Sequence, residues 1–248
     1  MKLSIITINY NNKEGLQKTM ESVETQNIQN NRDFEYIAID GFSSDGSSEL
    51  IKKSNIVTKY KIEKDNGIAD AFNKGIELAS GEYIFFLNSG DVFYDENSLE
   101  HILKNLHTKD MYIYKAAMVD EKGDILNIAG KAIDLSKQKY RNYLPHQGMM
   151  IKKSLFDQYG KYDINYKLGM DYEWSTRLLK DSKNLNIEFI DEPISKMLNG
   201  GVSQTRFVGT FMAYHRAKMK NNIMNPVFSY LISLFFIFRR SVGNFLRR

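Results

Sequence analysis

Apolar positions in the first hundred residues alternate between two patterns. Short runs rich in β-branched and aromatic side chains occupy 3–8, 34–39, 57–62 and 82–87. They predict buried strands. Between them, 13–26 carries Leu16, Met20 and Val23 at helical spacing, and 68–79 carries Ile68, Phe72, Ile76 and Ala79 on one face. A short helix at 47–53 follows Ser44 and Asp45, either of which can cap it. Strands that alternate with helices predict an α/β fold, a mostly parallel sheet flanked by helices. Such sheets bind ligands beyond the carboxyl ends of their strands. The polar segments 9–12, 40–45, 65–67 and 88–91 follow those ends and are expected to converge on one edge.

The pattern loosens after residue 100. Residues 111–119 and 124–128 predict a hairpin around 120–123, and 147–151 a short strand. Asp171 precedes a helix at 172–180, with Trp174, Leu178 and Leu179 inward. A strand is expected at 187–190 and a loop at 199–203. From 226 the character changes. Residues 227–238 are apolar almost all round, and Arg239, Arg240, Arg247 and Arg248 follow. A helix over that run covers about 18 Å, against about 30 Å of bilayer core. It is too short to cross. It is expected to lie in a membrane interface with its arginines on anionic headgroups, or else to dock in the core or in a dimer.

Composition narrows the chemistry. The chain has 248 residues, 42% of them hydrophobic, enough for one large domain or two packed halves. The absence of cysteine excludes disulfides and thiolate metal sites and suits a reducing compartment. A net charge of +4 carries no nucleic-acid signature. The N-terminal residues read as a strand and a loop rather than a secretion signal. Neither GxGxxG nor GxxxxGK[ST] follows the first strand. What remains at the sheet edge is carboxylates, amides and helix N-termini, which suit a nucleotide bridged by a hard divalent cation. Asn88-Ser89-Gly90-Asp91 is the pivotal stretch. Taken alone it is a turn in which Asp91 caps the next element; the other reading makes Asp91 a metal ligand.

The wider order of motifs favours the ligand. "SIITINYNN", "LQKTMESVETQ", "YIAIDGFSSDGS" and "KDNGIADAFNKGIELASGEYIFFLNSGD" together resemble the family 2 glycosyltransferases of the GT-A fold, in particular bacterial enzymes of capsule, exopolysaccharide and lipopolysaccharide synthesis. The resemblance runs from residue 3 to about 203. It implies a nucleotide-sugar-binding half at 1–100 and an acceptor-binding half at 101–215; the basic, apolar, membrane-associating helical tail at 216–248 is read from its own pattern and lies outside the resemblance. It implies nucleoside contacts from Thr7, Asn9, Tyr10 and Asp40, and further donor contacts from Asp65, Gly67, Asp70, Asn73 and Asn88. Lys74 beside them reads as an ordinary solvated helix face. The family's acidic metal motif is thinned here to Asp91, which is implied to hold Mn2+ or Mg2+ on the diphosphate. Gly90 lets the phosphates approach. "PHQGMMIKKSLF" implies that His146 and Gln147 orient the sugar or the acceptor. "GMDYEWSTRLL" has Met170 where the family has Glu, and retains Asp171, the implied catalytic base. "LNGGVS" implies that Gly200, Gly201 and Ser203 lie near the acceptor or the diphosphate.

The expected activity is inverting transfer from a nucleotide-diphosphate sugar to a glycan or polyprenyl-diphosphate-linked acceptor in surface polysaccharide synthesis. The enzyme is expected in the cytoplasm, peripheral on the inner face of the cell membrane through 227–248. Two rivals stand beside it. Sugar nucleotidyltransferases usually open with a Gly- and Arg-rich loop after the first strand, whereas 9–12 has neither residue. A catalytically inert nucleotide-sugar-binding membrane scaffold is kept open by Met170 and the thinned acidic motif.

Overall fold

The structure is a computed structural model that describes residues 1–28, 33–130 and 135–245. Its first elements follow the predicted alternation: β1 (Leu3–Asn9), α1 (Lys13–Glu24), β2 (Phe34–Asp40), α2 (Ser47–Lys53), β3 (Lys59–Ile62), α3 (Ile68–Leu78) and β4 (Tyr83–Phe86). Then come β5 (Val92–Phe93), α4 (Ser98–Asn105), β6 (Met111–Val119) and β7 (Ile125–Ala129). Short 3-10 turns at Leu135–Lys139 and His146–Gly148 lead to β8 (Met149–Lys152) and α5 (Lys153–Tyr159). α6 (Met170–Arg177) runs into a 3-10 turn at Leu178–Asp181, followed by β9 (Ile187–Leu198), α7 (Val202–Thr205), α8 (Phe207–Lys220) and α9 (Pro226–Phe245).

The central strands are apolar at nearly every position because both faces of the sheet are covered. Ile6, Ile37, Ile39, Ile84 and Phe86 join one layer, with Phe72 and Ile76 of α3 and Trp174 of α6. Ile5, Tyr36, Ala38, Tyr83 and Phe85 join the other, with Leu16, Met20 and Val23 of α1 and Leu99 and Ile102 of α4. Successive residues of one strand change layer, as the period of two requires. Gly75 lets α3 lie close to the sheet: a Cβ there would come 2.5 Å from Ile6 Cγ2. The carboxylate of Asp45 joins two helix starts. It accepts from Ser47 N at 3.0 Å in α2 and from Lys13 N at 2.8 Å in α1.

Among the described residues the strands form one nine-stranded sheet, in the order β3-β2-β1-β4-β8-β6-β9-β5, with β7 paired to β6. β3, β2, β1 and β4 are parallel; β8 is antiparallel to both β4 and β6. β1 thus has β2 on one side and β4 on the other. The connections diverge there, so a crevice opens beyond the carboxyl ends of β1 and β4.

Two expectations change. The strand at 187–190 continues to Leu198, twelve residues in all. Asp191 and Glu192 lie at a register shift against β6, between the Ile113–Phe189 and Lys115–Pro193 pairs, and a second shift follows Pro193. Such an irregularity bends a strand without ending it. The apolar tail is longer than the run at 227–238: α9 spans 20 residues and packs along α8, with Ser229 and Ser233 buried. The boundary at 215/216 falls inside α8.

Candidate active site

A cavity of about 990 Å³ opens at the switch point. Its walls come from the ends of β1 and β4, the turn before α3, the His146–Gly148 turn, the start of α6, and residues near 197–204. The volume lies at the upper end of the range for small-molecule sites.

At the β1–β2 edge, Thr7 and Asp40 support the cavity and are not among its lining residues. Thr7 Oγ1 donates to Leu87 O at 2.6 Å and accepts from the Tyr36 hydroxyl at 2.9 Å. Asp40 is fully buried with both oxygens engaged. Asn9 Nδ2 (2.8 Å) and Ser43 Oγ (2.6 Å) donate to Oδ1; Ser43 N (2.9 Å) and Ser48 Oγ (2.8 Å) donate to Oδ2. A carboxylate so satisfied fixes the loop after it. The neighbouring Asn9, Gly41 and Phe42 do line the cavity, as does Tyr10, which is 69% exposed. Phe42 takes a left-handed backbone (φ 67) and exposes its ring. Such strain on a bulky residue concentrates at ligand sites.

Just before α3, Asp65 and Gly67 line the cavity, whereas Asp70 and Asn73 on the helix do not. The solvated face expected for Lys74 is overturned. Its side chain is buried, and Nζ lies 2.6 Å from Asp65 Oδ1, 3.1 Å from Glu63 Oε1 and 3.3 Å from Asp70 Oδ2. Burial opposes the charge, but the three carboxylates outweigh it and hold the ammonium well above the usual lysine range. Burial pushes Asp65 up, against the pull of Lys74. For Asp70, burial is outweighed by the Asn66 N–H and Lys74, and the carboxyl is held low. Asn73 trades hydrogen bonds with both backbone groups of Tyr162 at 2.8 and 3.0 Å, tying α3 to the chain before α6. Ile68, expected inward, is exposed and lines the cavity.

The β4–β8 pairing sets Phe85 opposite Met150, and the His146–Gly148 turn before β8 packs against β4. Beyond β4, Thr19 of α1 holds the turn at 88–91: Gly90 N donates to its hydroxyl at 2.9 Å, which donates to Asp91 O at 2.7 Å. Asp91 is buried. Burial pushes its carboxyl up to about 7, against Asn88 and Gln147 contacts that favour the charged form. Asp91 Oδ2, Asn88 Oδ1 and Asn9 Oδ1 are buried without a hydrogen-bond partner, and all three residues line the cavity. Each such oxygen costs about 1–3 kcal/mol, so three in one wall mark a ligand position. They are the hard donors that Mg2+ and Mn2+ take, and the residues present fit that ion. Among the described residues no group of three or more His, Cys, Asp or Glu could hold a metal.

On the opposite wall, α6 starts from Gly169 at φ 66, where a Cβ would come 2.9 Å from the Tyr214 ring. Asp171 lies in the first turn of α6, not at its cap, and the helix N-terminus favours its negative charge. Asn142 Nδ2 donates to Asp171 Oδ2 at 2.7 Å. The orientation of that amide is fixed by backbone groups that can only donate. Tyr143 N donates to Gln138 Oε1 (2.9 Å), which turns Gln138 Nε2 towards Asn142 Oδ1 (2.7 Å) and Ser175 Oγ (2.9 Å). Leu144 N also donates to Asn142 Oδ1, at 3.3 Å. Only Nδ2 is left for the carboxylate. His146 is buried, stacked on Phe86 with centroids 4.9 Å apart, and its Nε2 lies 2.9 Å from the Tyr162 hydroxyl. Burial lowers its pKa, against Asp171, so the ring is neutral at pH 7. Tyr214 is held protonated by burial and by the Asp171 charge.

Asp171, His146, Gln147, Gly201 and Ser203 all line the cavity. Gly200 is not among the lining residues; it turns the chain at φ 99 and donates its N–H to Gln204 Oε1 at 3.1 Å. Asn142, Tyr214 and Phe42 line it too, and sequence reasoning missed them. Asn142 sits in a loop with no periodic signal, and Tyr214 in a stretch bordering the basic tail. Phe42 stands directly after the Asp40-Gly41 turn, an exposed aromatic at a strand end, which was the one available cue.

The sequence profile described as Glycosyl transferase family 2 matches residues 4–164. The chain belongs to glycosyl transferase family 2. It is 30% identical over 179 residues to an uncharacterised glycosyltransferase of Mycobacterium tuberculosis, covering 71% of this chain and 68% of that one. It is 29% identical over 208 residues to TarP of Staphylococcus aureus, a poly(ribitol-phosphate) beta-N-acetylglucosaminyltransferase, covering 75% and 60%. The match thus spans about three-fifths of TarP's length. Among solved structures, S. aureus TarS 1–349 in complex with UDP-GlcNAc aligns with a TM-score of 0.67 over 96% of this chain and 72% of that one. Identity there is 17%, so this likeness speaks to fold alone: GT-A-like, with a mixed sheet flanked by helices. In this family 2 chain the parallel strands β3-β2-β1-β4 meet the mixed half of the sheet at β8, and residues beyond both line the cavity.

Proposed function

We propose that this family 2 protein is an inverting glycosyltransferase that moves a sugar from a nucleotide-diphosphate donor to a hydroxyl of a glycan or polyprenyl-diphosphate-linked acceptor in surface polysaccharide synthesis. The carrying observation is one cavity that holds Asp171, oriented by Asn142, on one wall and the bare oxygens of Asp91, Asn88 and Asn9 on the other. The donor half is 1–100 and the acceptor half 101–215. The similarity to TarP supports a UDP-N-acetylglucosamine class of donor and a polymer acceptor. The enzyme acts in the cytoplasm at the inner face of the membrane, which it meets through 227–248.

Asp171 accepts the proton of the acceptor hydroxyl as that oxygen forms its bond to the anomeric carbon. The bond from that carbon to the β-phosphate oxygen breaks, and the nucleoside diphosphate leaves on the opposite face. Asn142 keeps one oxygen of Asp171 engaged and the other free for the incoming proton. Asp91 and Asn88 would hold Mn2+ or Mg2+, and the ion would supply positive charge to the leaving diphosphate. Neutral His146 and Gln147 stand between the two walls and orient the sugar.

A screen of nucleotide sugars, UDP-N-acetylglucosamine first, for Mn2+- or Mg2+-dependent hydrolysis and transfer tests the reading. Asp171→Asn is expected to keep donor affinity and to lose about 10²–10⁴ in transfer rate, the usual worth of a general base. Transfer by that variant at the wild-type rate would remove Asp171 from its role. Exchange of pyrophosphate with a sugar phosphate would instead identify a nucleotidyltransferase.

A further inference from the structure

α9 is turned inside out for a helix docked on a protein. Its buried side holds Ser229 and Ser233, while Phe238 is 69% exposed. At about 100° per residue, Val227, Leu231, Leu234, Phe238 and Val242 fall within about 80° of arc, opposite the serines. All five are exposed. The side facing α8 is well fixed. His215 Nδ1 and Ser229 Oγ lie 2.9 Å apart, and Phe236 stacks on Phe211 with centroids 5.7 Å apart. The exposed stripe is therefore what the packing leaves over.

Charge decides what covers it. The chain has no Asp or Glu after Glu192. Arg206, Arg216 and Arg239, in and just before the last two helices, are exposed. An apolar stripe on a segment whose only charges are cationic fits an anionic lipid leaflet, which takes apolar side chains below its headgroups and attracts Lys and Arg at them. A second copy of the chain would bring cations against cations.

The same helix reaches the cavity. Arg240 donates to the backbone oxygen of Gln204 at 3.3 Å, and Gln204 lines the cavity. The Arg141 guanidinium sits over the Phe236 ring at 5.5 Å, one residue from Asn142. We propose that the exposed face of α9 is a docking surface for an anionic lipid leaflet, and that its seating brings the leaflet to the Asp171 wall of the cavity. This deepens the membrane contact in the proposed function by naming the face, the lipid charge and the wall of the site that it adjoins.

The test is co-sedimentation of the full chain with phosphatidylcholine vesicles, with and without 30 mol% phosphatidylglycerol (about a third of the lipid, a typical anionic load). Wild type is expected to bind only the anionic vesicles, and less as salt rises. Replacing Leu231, Leu234 and Phe238 together by Ser is expected to weaken binding at least about tenfold, with unchanged melting temperature and unchanged donor hydrolysis. Arg239→Glu, at a single exposed site, is expected to weaken it several-fold. Wild-type indifference to lipid charge, or full binding by both variants, overturns the proposal. So does a dimer that the triple variant dissolves while vesicle binding persists. Vesicle binding without any sugar-nucleotide hydrolysis would leave the docking surface standing and remove the enzymatic reading.

Discussion

At the residue scale, two carboxylates face one cavity in opposite electrostatic settings. Asp91 is buried, and its carboxyl is pushed up to about 7. An acid whose folded value lies above its unfolded one binds its proton more tightly when folded. The stability it withholds grows as pH rises from the unfolded value near 4 through about 7. At about 1.4 kcal/mol per pH unit, Asp91→Asn should stabilise the metal-free protein by about 4 kcal/mol at pH 8 and by less than half as much at pH 5, while impairing sugar transfer. Thermal melts at the two pH values check this; equal gains at both would mean that the carboxylate charge is not the cause. Asp171 instead takes a fixed amide. Asn142→Ala removes one charge-assisted hydrogen bond, worth about 1.5–3 kcal/mol, and should lower kcat about tenfold or more with little change in donor affinity. A loss confined to donor KM would show that Asn142 serves binding rather than the base. Asp171 was legible from a motif. Asn142 was not, because its role comes from Gln138 and two backbone N–H groups meeting in an irregular loop.

At the scale of elements, the strands of the first half were legible because both of their faces are buried, so each reads as an unbroken apolar run. β9 was half hidden. Asp191-Glu192-Pro193 looks like a strand end, yet the shift against β6 absorbs Pro193 and Lys115 meets Asp191 at 2.6 Å. α4, α5 and α8 went unpredicted, since short helices with mixed faces leave a weak period. The polar face of α3 was misread for a different reason. Asp70, Asn73 and Lys74 share a face as expected, but Lys74 meets Asp65 and Glu63 from the preceding loop, which helical spacing does not encode. Lys74 is thereby a positioning residue for Asp65 at the cavity. Lys74→Met should destabilise the fold by about 2 kcal/mol, less than the 3–5 of a fully buried pair because the cluster opens to solvent at Glu63. It should also weaken donor binding roughly tenfold, with Lys74→Arg recovering part of both. Denaturant titration and donor titration separate the two effects, and unaltered donor affinity would confine Lys74 to structure.

Across the whole molecule, the site depends on how the last helices are fastened to the sheet. Glu173 is fully buried in α6, two residues after Asp171. It accepts from Arg177 Nε at 3.1 Å on its own helix, and from Lys220 Nζ at 3.0 Å and Asn221 Nδ2 at 3.3 Å at the end of α8. Lys220 also meets Asp163 at 2.8 Å, and burial notwithstanding, that contact holds the Asp163 carboxyl down at about 2. α8 in turn carries Tyr214 to the cavity and α9 to the surface. One buried carboxylate thus links the base, the cavity wall and the tail. Removing it leaves Arg177 with backbone carbonyls only and Lys220 with Asp163 alone. Glu173→Ala should cost about 3 kcal/mol, the lower part of the range for breaking a buried pair because Lys220 is half exposed, and should lower kcat by displacing the first turn of α6. Lys220→Met alone should cost less, since Arg177 still answers Glu173. If the pair is what fastens α8 to α6, a double-mutant cycle of the two will give a coupling above about 1 kcal/mol. Strictly additive losses would mean that α8 is held by its apolar contacts, with the Tyr214 ring tilted against Tyr172 at 4.2 Å between centroids, and that the charge network only tunes its seat.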